Sequence, residues 1–182
     1  IAEEVVNKGR SADLLIISAT NPDETTGVES DFVEQTLMAA GRPIMVLPFK
    51  GETKLNLDDV VLGWNGDREA ARAAFDALPF LKAAKKVRIV RTDPQKDPSL
   101  KGSIAGADLA ETLARHGVKV EAASFPTAGD DAGHALLRCD DENGCDLIVM
   151  GAYGHSRLRE YIFGGATQYV LNHLNRPVLM SH

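Results

Sequence analysis

The stretch between residues 145 and 177 constrains the fold more than any other part of the chain. It opens with an apolar run, Leu147–Met150, that has the length and composition of a buried strand. Gly151 and Gly154 follow, and after a basic connector the pair Gly164–Gly165 opens a segment with apolar residues at helical spacing. Glycine lets the backbone approach a ligand, and the first N–H groups of a helix are unpaired and partly positive. The pattern therefore predicts an anion-binding loop.

The connector adds polar side chains to this loop. One interpretation is that His155, Ser156, Arg157 and Arg159 contact phosphate oxygens. The alternative is a solvated basic loop that balances Glu160. The glycines themselves have an alternative role as simple turn residues. The candidate ligand-binding residues of the loop are Gly151, Tyr153, Gly154, His155, Arg157, Gly164, Gly165, Ala166 and Thr167.

Residues 57–182 alternate apolar strand patterns with helical patterns through short connections. This order predicts an α/β fold with a doubly wound parallel sheet and right-handed crossovers. Ligands in such sheets bind beyond the carboxyl ends of the strands, where the strand order reverses. Strands are predicted at Asp59–Trp64, Val87–Val90, Val118–Phe125, Leu147–Met150 and Val178–Met180, and helices at Asp67–Leu81, Ile104–Arg115, Asp131–Cys139 and after Gly165.

Residues 1–50 show the same order as the end of the chain. The stretch ADLLIISAT at residues 12–20 parallels CDLIVMGAYG at 145–154, and GRPIMVLP at 41–48 parallels NRPVLMSH at 175–182. Two matches at matching spacing indicate a duplication. We predict that residues 1–50 are the C-terminal part of a first domain, that 51–56 are a linker and that 57–182 are a complete domain. Because the first residue is Ile1, we interpret the chain as a fragment or a processed product.

Composition excludes several functional classes. A net charge of −6 and a pI near 5.4 give no general basic footprint for nucleic acid. No apolar run approaches the ~20 residues of a membrane span. The two cysteines, Cys139 and Cys145, form neither a disulfide framework nor a zinc motif. We therefore expect a cytoplasmic protein that binds neither nucleic acid nor membrane.

The glycine spacing G-x2-G-x9-G, formed by Gly151, Gly154 and Gly164, resembles the nucleotide-binding signature of the universal stress protein family, G-x2-G-x9-G-[ST]. Gly165 stands where the family has Ser or Thr, and Thr167 offers another hydroxyl. The stretches VVLGWNGDREAARAAFDALPFL and RPVLMSH also resemble that family's first strand and helix and its closing strand. The resemblance implies a five-strand sheet of the adenine nucleotide alpha hydrolase type, with strands one and four adjacent.

This family resemblance also implies the other wall of the site. Trp64, Asn65 and Gly66 are expected beside Gly151–Gly154, on the two sides of one crevice. Asn65 replaces the family's usual Asp, so it can hydrogen-bond to a ribose hydroxyl or a base but cannot hold a cation by charge. Arg91 ends the second strand, where backbone groups would meet a base; the alternative is an ordinary strand end.

These residues predict a universal stress protein that binds an adenine nucleotide, ATP foremost, with or without Mg²⁺, and acts through assembly or partner binding. Because no P-loop lysine or nucleophile motif is present, we expect no dedicated catalytic residues, no metal site in the protein itself and at most slow ATP hydrolysis. The alternative is a ligand-independent dimerisation module with a vestigial crevice. In both cases Pro177–His182 and Ile44–Leu47 are expected to pair, as a homodimer or within one chain.

Overall fold

The computed structural model describes residues 1–20, 31–50, 55–91, 106–122, 132–154 and 165–182. One seven-stranded sheet runs through them in the order β1-β2-β7-β6-β3-β4-β5. All neighbouring strands are parallel except β2 and β7. The strands are β1 (Leu15–Ser18), β2 (Ile44–Leu47), β3 (Asp59–Trp64), β4 (Lys86–Arg91), β5 (Val120–Ala122), β6 (Leu147–Gly151) and β7 (Val178–Ser181).

Helices cover both faces of this sheet. One apolar cluster lies under α1, α2, α6 and α7, and a second lies under α3, α4 and α5. Strands buried on both faces need nearly continuous apolar sequence, which is what β3, β6 and β7 have. The helices are α1 (Ala2–Gly9), α2 (Phe32–Ala40), α3 (Arg68–Asp76), α4 (Leu78–Ala83), α5 (Ala107–Arg115), α6 (Ala132–Asn143) and α7 (Gly165–Asn172).

The single helix predicted for Asp67–Leu81 is wrong, because the chain forms two helices that meet at Ala77. Pro79 stands in the first turn of α4, and proline has no N–H to continue a helical ladder. The apolar side predicted for this segment was Ala71, Ala74, Phe75, Leu78 and Leu81. Ala74 and Leu81 are buried, whereas Phe75 is exposed.

Two other predicted boundaries differ from the structure. Residues 140–143, expected to be the polar exit of a helix, are its last turn, because α6 continues to Asn143. The described part of the third strand, β5, is limited to Val120–Ala122. The sequence also predicts a polar loop over residues 93–102, which lie outside the described residues.

The predicted adjacency of strands one and four in residues 57–182 is confirmed, since β3 pairs with β6 in parallel. The last strand, β7, lies between β6 and β2, and it pairs antiparallel with β2 from Ile44–Met180 to Val46–Val178. Among the described residues, no helix combines the length and apolarity that crossing a membrane requires.

Candidate ligand crevice

The carboxyl ends of four parallel strands lie side by side at one edge of the sheet. Trp64 pairs with Arg91 across β3 and β4, and Gly151 pairs with Ser181 across β6 and β7. β3 and β6 are neighbours in the sheet. After β3 the chain continues to β4 on one side of this pair, and after β6 it continues to β7 on the other side. This is the point where the strand order reverses, and parallel sheets open a ligand crevice there.

The first turn of α3 forms the floor of this crevice, because it packs directly on the end of β6. A Cβ atom at Gly151 would lie 2.5 Å from the Ala70 nitrogen and 2.5 Å from the carbonyl carbon of Glu69. Only glycine permits this approach of helix to strand. Gly151 therefore holds the start of α3 at the crevice, which is a packing role in addition to the predicted ligand contact.

The turn from β3 into α3 forms one wall. The Asn65 side-chain oxygen accepts a hydrogen bond of 3.0 Å from the Asp67 N–H, and its amide nitrogen donates one of 2.7 Å to Asp67 Oδ2. Gly66, with φ of +83°, permits the tight turn. Asp67 occupies the N-cap position of α3 without a side-chain capping bond. Asn65 and Gly66 are exposed, so both remain accessible to a ligand.

Carboxylates lie beside the second glycine of the loop. A Cβ atom on Gly154 would be 3.6 Å from Asp67 Oδ2 and 3.7 Å from Glu69 Oε2. Glu69 is buried, and its other carboxylate oxygen pairs with the guanidinium of Arg68 at 2.7 Å. Burial alone would raise the pKa of Glu69, but the bond from Arg68, the Glu69 backbone N–H, and the charges of Arg68 and His182 together lower this pKa. This end of the crevice is therefore acidic.

The start of α7 forms the opposite wall. The Thr167 hydroxyl oxygen accepts a hydrogen bond of 3.3 Å from the Tyr153 backbone N–H, which fixes the first turn of α7 against the exit of β6. Thr167 is 2% exposed, so this hydroxyl is not on an open surface. Gly165 is exposed, and no atom of the described residues lies within 4 Å of where its Cβ would be.

The predicted site residues fall into three groups. Five of them lie at the crevice as expected, namely Asn65, Gly66, Gly151, Gly154 and Gly165. The side chains of Tyr153 and Thr167 are buried, Ala166 is partly buried beside Gly133, and Trp64 is partly buried against Gly106. Arg91 is described by its backbone only, and His155, Arg157 and Gly164 lie outside the described residues.

Sequence reasoning missed three side chains of this region: Arg68, Glu69 and His182. His182 belongs to it because its Nδ1 lies 3.0 Å from the Ala152 carbonyl oxygen, directly after Gly151. A signal existed for Glu69, because the first turn of a helix that starts at the carboxyl edge must project near the crevice. In the described part of the chain, no group of three His, Cys, Asp or Glu side chains is placed to hold a metal ion.

Comparison with known proteins agrees with this architecture. The model of the universal stress protein family matches residues 57–182, which is more than half of the chain. The chain belongs to the universal stress protein family. A universal stress protein of Synechocystis sp. is 27% identical over 149 residues, which are 81% of this chain and 49% of that protein. This member of the family thus spans about half the length of that relative.

Solved structures show the same fold. A universal stress protein from Archaeoglobus fulgidus superposes with a TM-score of 0.72 and 16% identity, over 99% of this chain and 66% of that one. A universal stress protein solved in complex with cAMP superposes with a TM-score of 0.50 and 21% identity, over 69% of this chain and 97% of that one. At these identities the likeness establishes the fold.

Proposed function

We propose that this universal stress protein binds an adenine nucleotide in the crevice between β3 and β6, and that the bound state alters assembly or partner binding in a cytoplasmic stress response. The supporting observation is the hydrogen bond from the Tyr153 N–H to the Thr167 hydroxyl. It brings the N-terminus of α7 to the crevice that α3 enters from the other side. A structure of a relative with cAMP supports an adenine nucleotide as the ligand class.

The phosphate would lie at the start of α7. The first N–H groups of a helix carry partial positive charge and have no partner within the helix, so they favour an anion. Gly165 is exposed there, and none of the described residues has an atom within 4 Å of its Cβ position. The role of the Thr167 hydroxyl would be to hold Tyr153 and α7 together, since its oxygen accepts a hydrogen bond from the Tyr153 N–H.

The sugar and base would lie on the acidic side. Asp67 and Glu69 flank Gly154, and a carboxylate accepts hydrogen bonds from ribose hydroxyls but repels phosphate. This distribution favours nucleotides with few phosphates. ATP, the ligand expected from the sequence, would bring more negative charge near these carboxylates, so we expect it to require Mg²⁺ while AMP and cAMP do not.

The same carboxylates support the second candidate function. Because Asp67 and Glu69 flank the loop, it should bind anions more weakly than its glycines alone indicate. Weak anion binding is what we would expect of a vestigial crevice in an interaction module. In either case we propose no dedicated catalytic turnover, because the sequence has no P-loop lysine to stabilise a transferring phosphate. Homodimer formation stays a prediction.

Calorimetric titration with AMP, cAMP and ATP, each with and without Mg²⁺, tests the proposal. The Gly154→Val variant is expected to weaken binding of AMP at least about tenfold, because the added isopropyl group fills the space between the loop and the carboxylates. Thermal unfolding of the variant is measured alongside the titration, so that loss of the fold is distinguished from loss of binding. Absence of heat at millimolar nucleotide, or heat unchanged by the substitution, would favour the interaction module.

A gain-of-binding variant gives an independent test. Gly165→Ser places a hydroxyl at the first residue of α7, where no described atom lies within 4 Å of the added Cβ and the backbone has no left-handed strain. A hydrogen bond to a charged group contributes about 1.5–3 kcal/mol, so affinity for AMP should rise roughly tenfold or more. Gly165→Ala is the matched control, since it adds the Cβ without the hydroxyl. Equal affinity in the serine and alanine variants would contradict a phosphate at this helix start.

A further inference from the structure

Arg68 and Glu69 form an ion pair at the start of α3. The Arg68 Nε donates a hydrogen bond to Glu69 Oε1 at 2.7 Å. Adjacent side chains of a helix point about 100° apart and do not normally face each other. The pair therefore forms because the Arg68 side chain bends toward the buried Glu69 instead of extending into solvent. This conformation brings the guanidinium to the crevice side of α3.

The Glu69 carboxylate lies between this guanidinium and the glycine loop. Its Oε1 accepts the bond from Arg68, and its Oε2 is 3.7 Å from where a Cβ of Gly154 would be. Gly154 follows Tyr153, whose N–H donates to the hydroxyl of Thr167 in the first turn of α7. The guanidinium is thus one carboxylate away from the loop, on the side of the crevice opposite the start of α7.

The two side chains of the pair differ in exposure. The Glu69 side chain is 10% exposed, whereas the Arg68 side chain is 83% exposed. Burial acts to raise the pKa of Glu69, but the hydrogen bond and the charge of Arg68 are among the contributions that lower it overall. Arg68 therefore helps to keep a buried carboxylate ionised, and Glu69 fixes a guanidinium that a ligand can reach.

The guanidinium retains most of its hydrogen-bonding capacity. An arginine side chain has N–H donors on Nε and on both terminal nitrogens, and the bond to Glu69 uses Nε. The terminal nitrogens of Arg68 donate no hydrogen bond to an acceptor in the part of the chain that the structure describes. Their planar arrangement matches the oxygen atoms of a phosphate group. They are therefore available for an anionic ligand.

We propose that the terminal N–H groups of Arg68 bind the phosphate of the nucleotide, and that Glu69 is the positioning residue that orients them. This inference rests on the proposed function. It names the side chain by which the crevice distinguishes a nucleoside monophosphate from the nucleoside. The phosphate lies between the start of α7 and Arg68. Glu69 alone would repel it, but the guanidinium at 2.7 Å offsets that charge at short range.

Calorimetric titration of Arg68→Gln with AMP and with adenosine tests this assignment. Affinity for AMP should fall at least about tenfold, because a charge-assisted contact is lost. Affinity for adenosine, which has no phosphate, should stay within about twofold of the original value. Arg72→Gln is the matched control, one turn further along α3. Arg72 is also an exposed arginine, but it donates to the Gly41 oxygen, so both affinities should stay within about twofold.

The outcomes separate this inference from the proposed function. If the original chain binds neither AMP nor adenosine, the proposed function fails and the role of Arg68 fails with it. If the original chain binds AMP and Arg68→Gln binds it equally well, the role of Arg68 alone is overturned. Equal losses for AMP and adenosine in Arg68→Gln would also overturn it, because they would show a structural effect of the substitution.

Nuclear magnetic resonance of the Arg68 Nε–H group tests the positioning role of Glu69. The hydrogen bond to Glu69 should slow exchange of this proton with water, so its signal should be resolved near neutral pH in the original chain and lost in Glu69→Ala. Addition of AMP should shift the signal, and addition of adenosine should not. A signal that persists in Glu69→Ala would contradict the positioning role, and a signal that saturating AMP leaves unmoved would contradict the phosphate contact.

Discussion

Gly151→Ala is expected to lower the free energy of unfolding by about 3 kcal/mol, at the upper end of typical overpacking costs. The added methyl group would lie 2.5 Å from backbone atoms of Glu69 and Ala70, and a helix backbone cannot move aside as a flexible side chain can. α3 must shift as a unit, which also disturbs its contacts with β6 and the bond from the Ser181 hydroxyl to Asp76. For a chain of this size the unfolding temperature should fall by roughly 6–12 °C.

Gly154→Ala is the matched control, three residues further along the same loop. Among the described residues its Cβ would meet no atom closer than 3.6 Å, so thermal unfolding should stay close to that of the original chain. Chemical denaturation of both variants separates the two roles of the loop glycines. If Gly151→Ala unfolds like the original chain, α3 does not rest on the end of β6, and the described floor of the crevice is wrong.

Asp59→Asn is expected to lower the free energy of unfolding by about 3 kcal/mol, because it removes the carboxylate opposite a buried charge. Arg88 is only 3% exposed. Its Nε donates to Asp59 Oδ1 at 2.8 Å, and another guanidinium nitrogen donates to the Gly144 carbonyl oxygen. Asp59 Oδ2 also pairs with Lys86 at 2.7 Å. Breaking one partner of a buried pair leaves the guanidinium with a desolvation penalty that is no longer offset.

The neighbouring residue supplies the control. Asp58 pairs with Lys85 at 2.9 Å, but the two side chains are 62% and 73% exposed, so water screens the pair. Asp58→Asn should change stability by at most about 0.5 kcal/mol. Urea denaturation of both variants measures the difference, and equal effects at the two aspartates would show that Arg88 does not depend on Asp59.

Much of the fold could be predicted because strand and helix patterns in this chain are local. The boundaries of β2 and β3 were predicted to the residue, since each is an apolar run bounded by polar or turn-forming residues. The helix break at Ala77 was missed although Pro79 is visible in the sequence. In one helix from Asp67 to Leu81 this proline would have been an interior residue, where it disrupts the helix, whereas the first turn of a new helix tolerates it. The buried Arg88 inside β4 could not be predicted, since its burial depends on Asp59 and Gly144.

The position of the candidate site could be predicted from the sequence, but the charged side chains that line it could not. The glycine spacing and the strand order located the crevice, because carboxyl ends of parallel strands share one edge. The acidic character beside Gly154 comes from Asp67 and Glu69, which stand in the sequence about 85 residues away and reach the loop only through the packing of α3 on Gly151. Thr167 stays a predicted ligand contact, and only the structure shows that its hydroxyl oxygen also accepts a hydrogen bond from the Tyr153 N–H.

By itself the sequence determined the element types, the parallel architecture and the glycine loop, because these follow from patterns within a few residues. Only the tertiary structure decided which charges face the loop, that Gly151 is a packing residue, and that β2 pairs antiparallel with β7. The physical reason is that these features depend on distances between chain segments far apart in sequence. Those distances are set when sheet and helices pack together, and no local pattern records them.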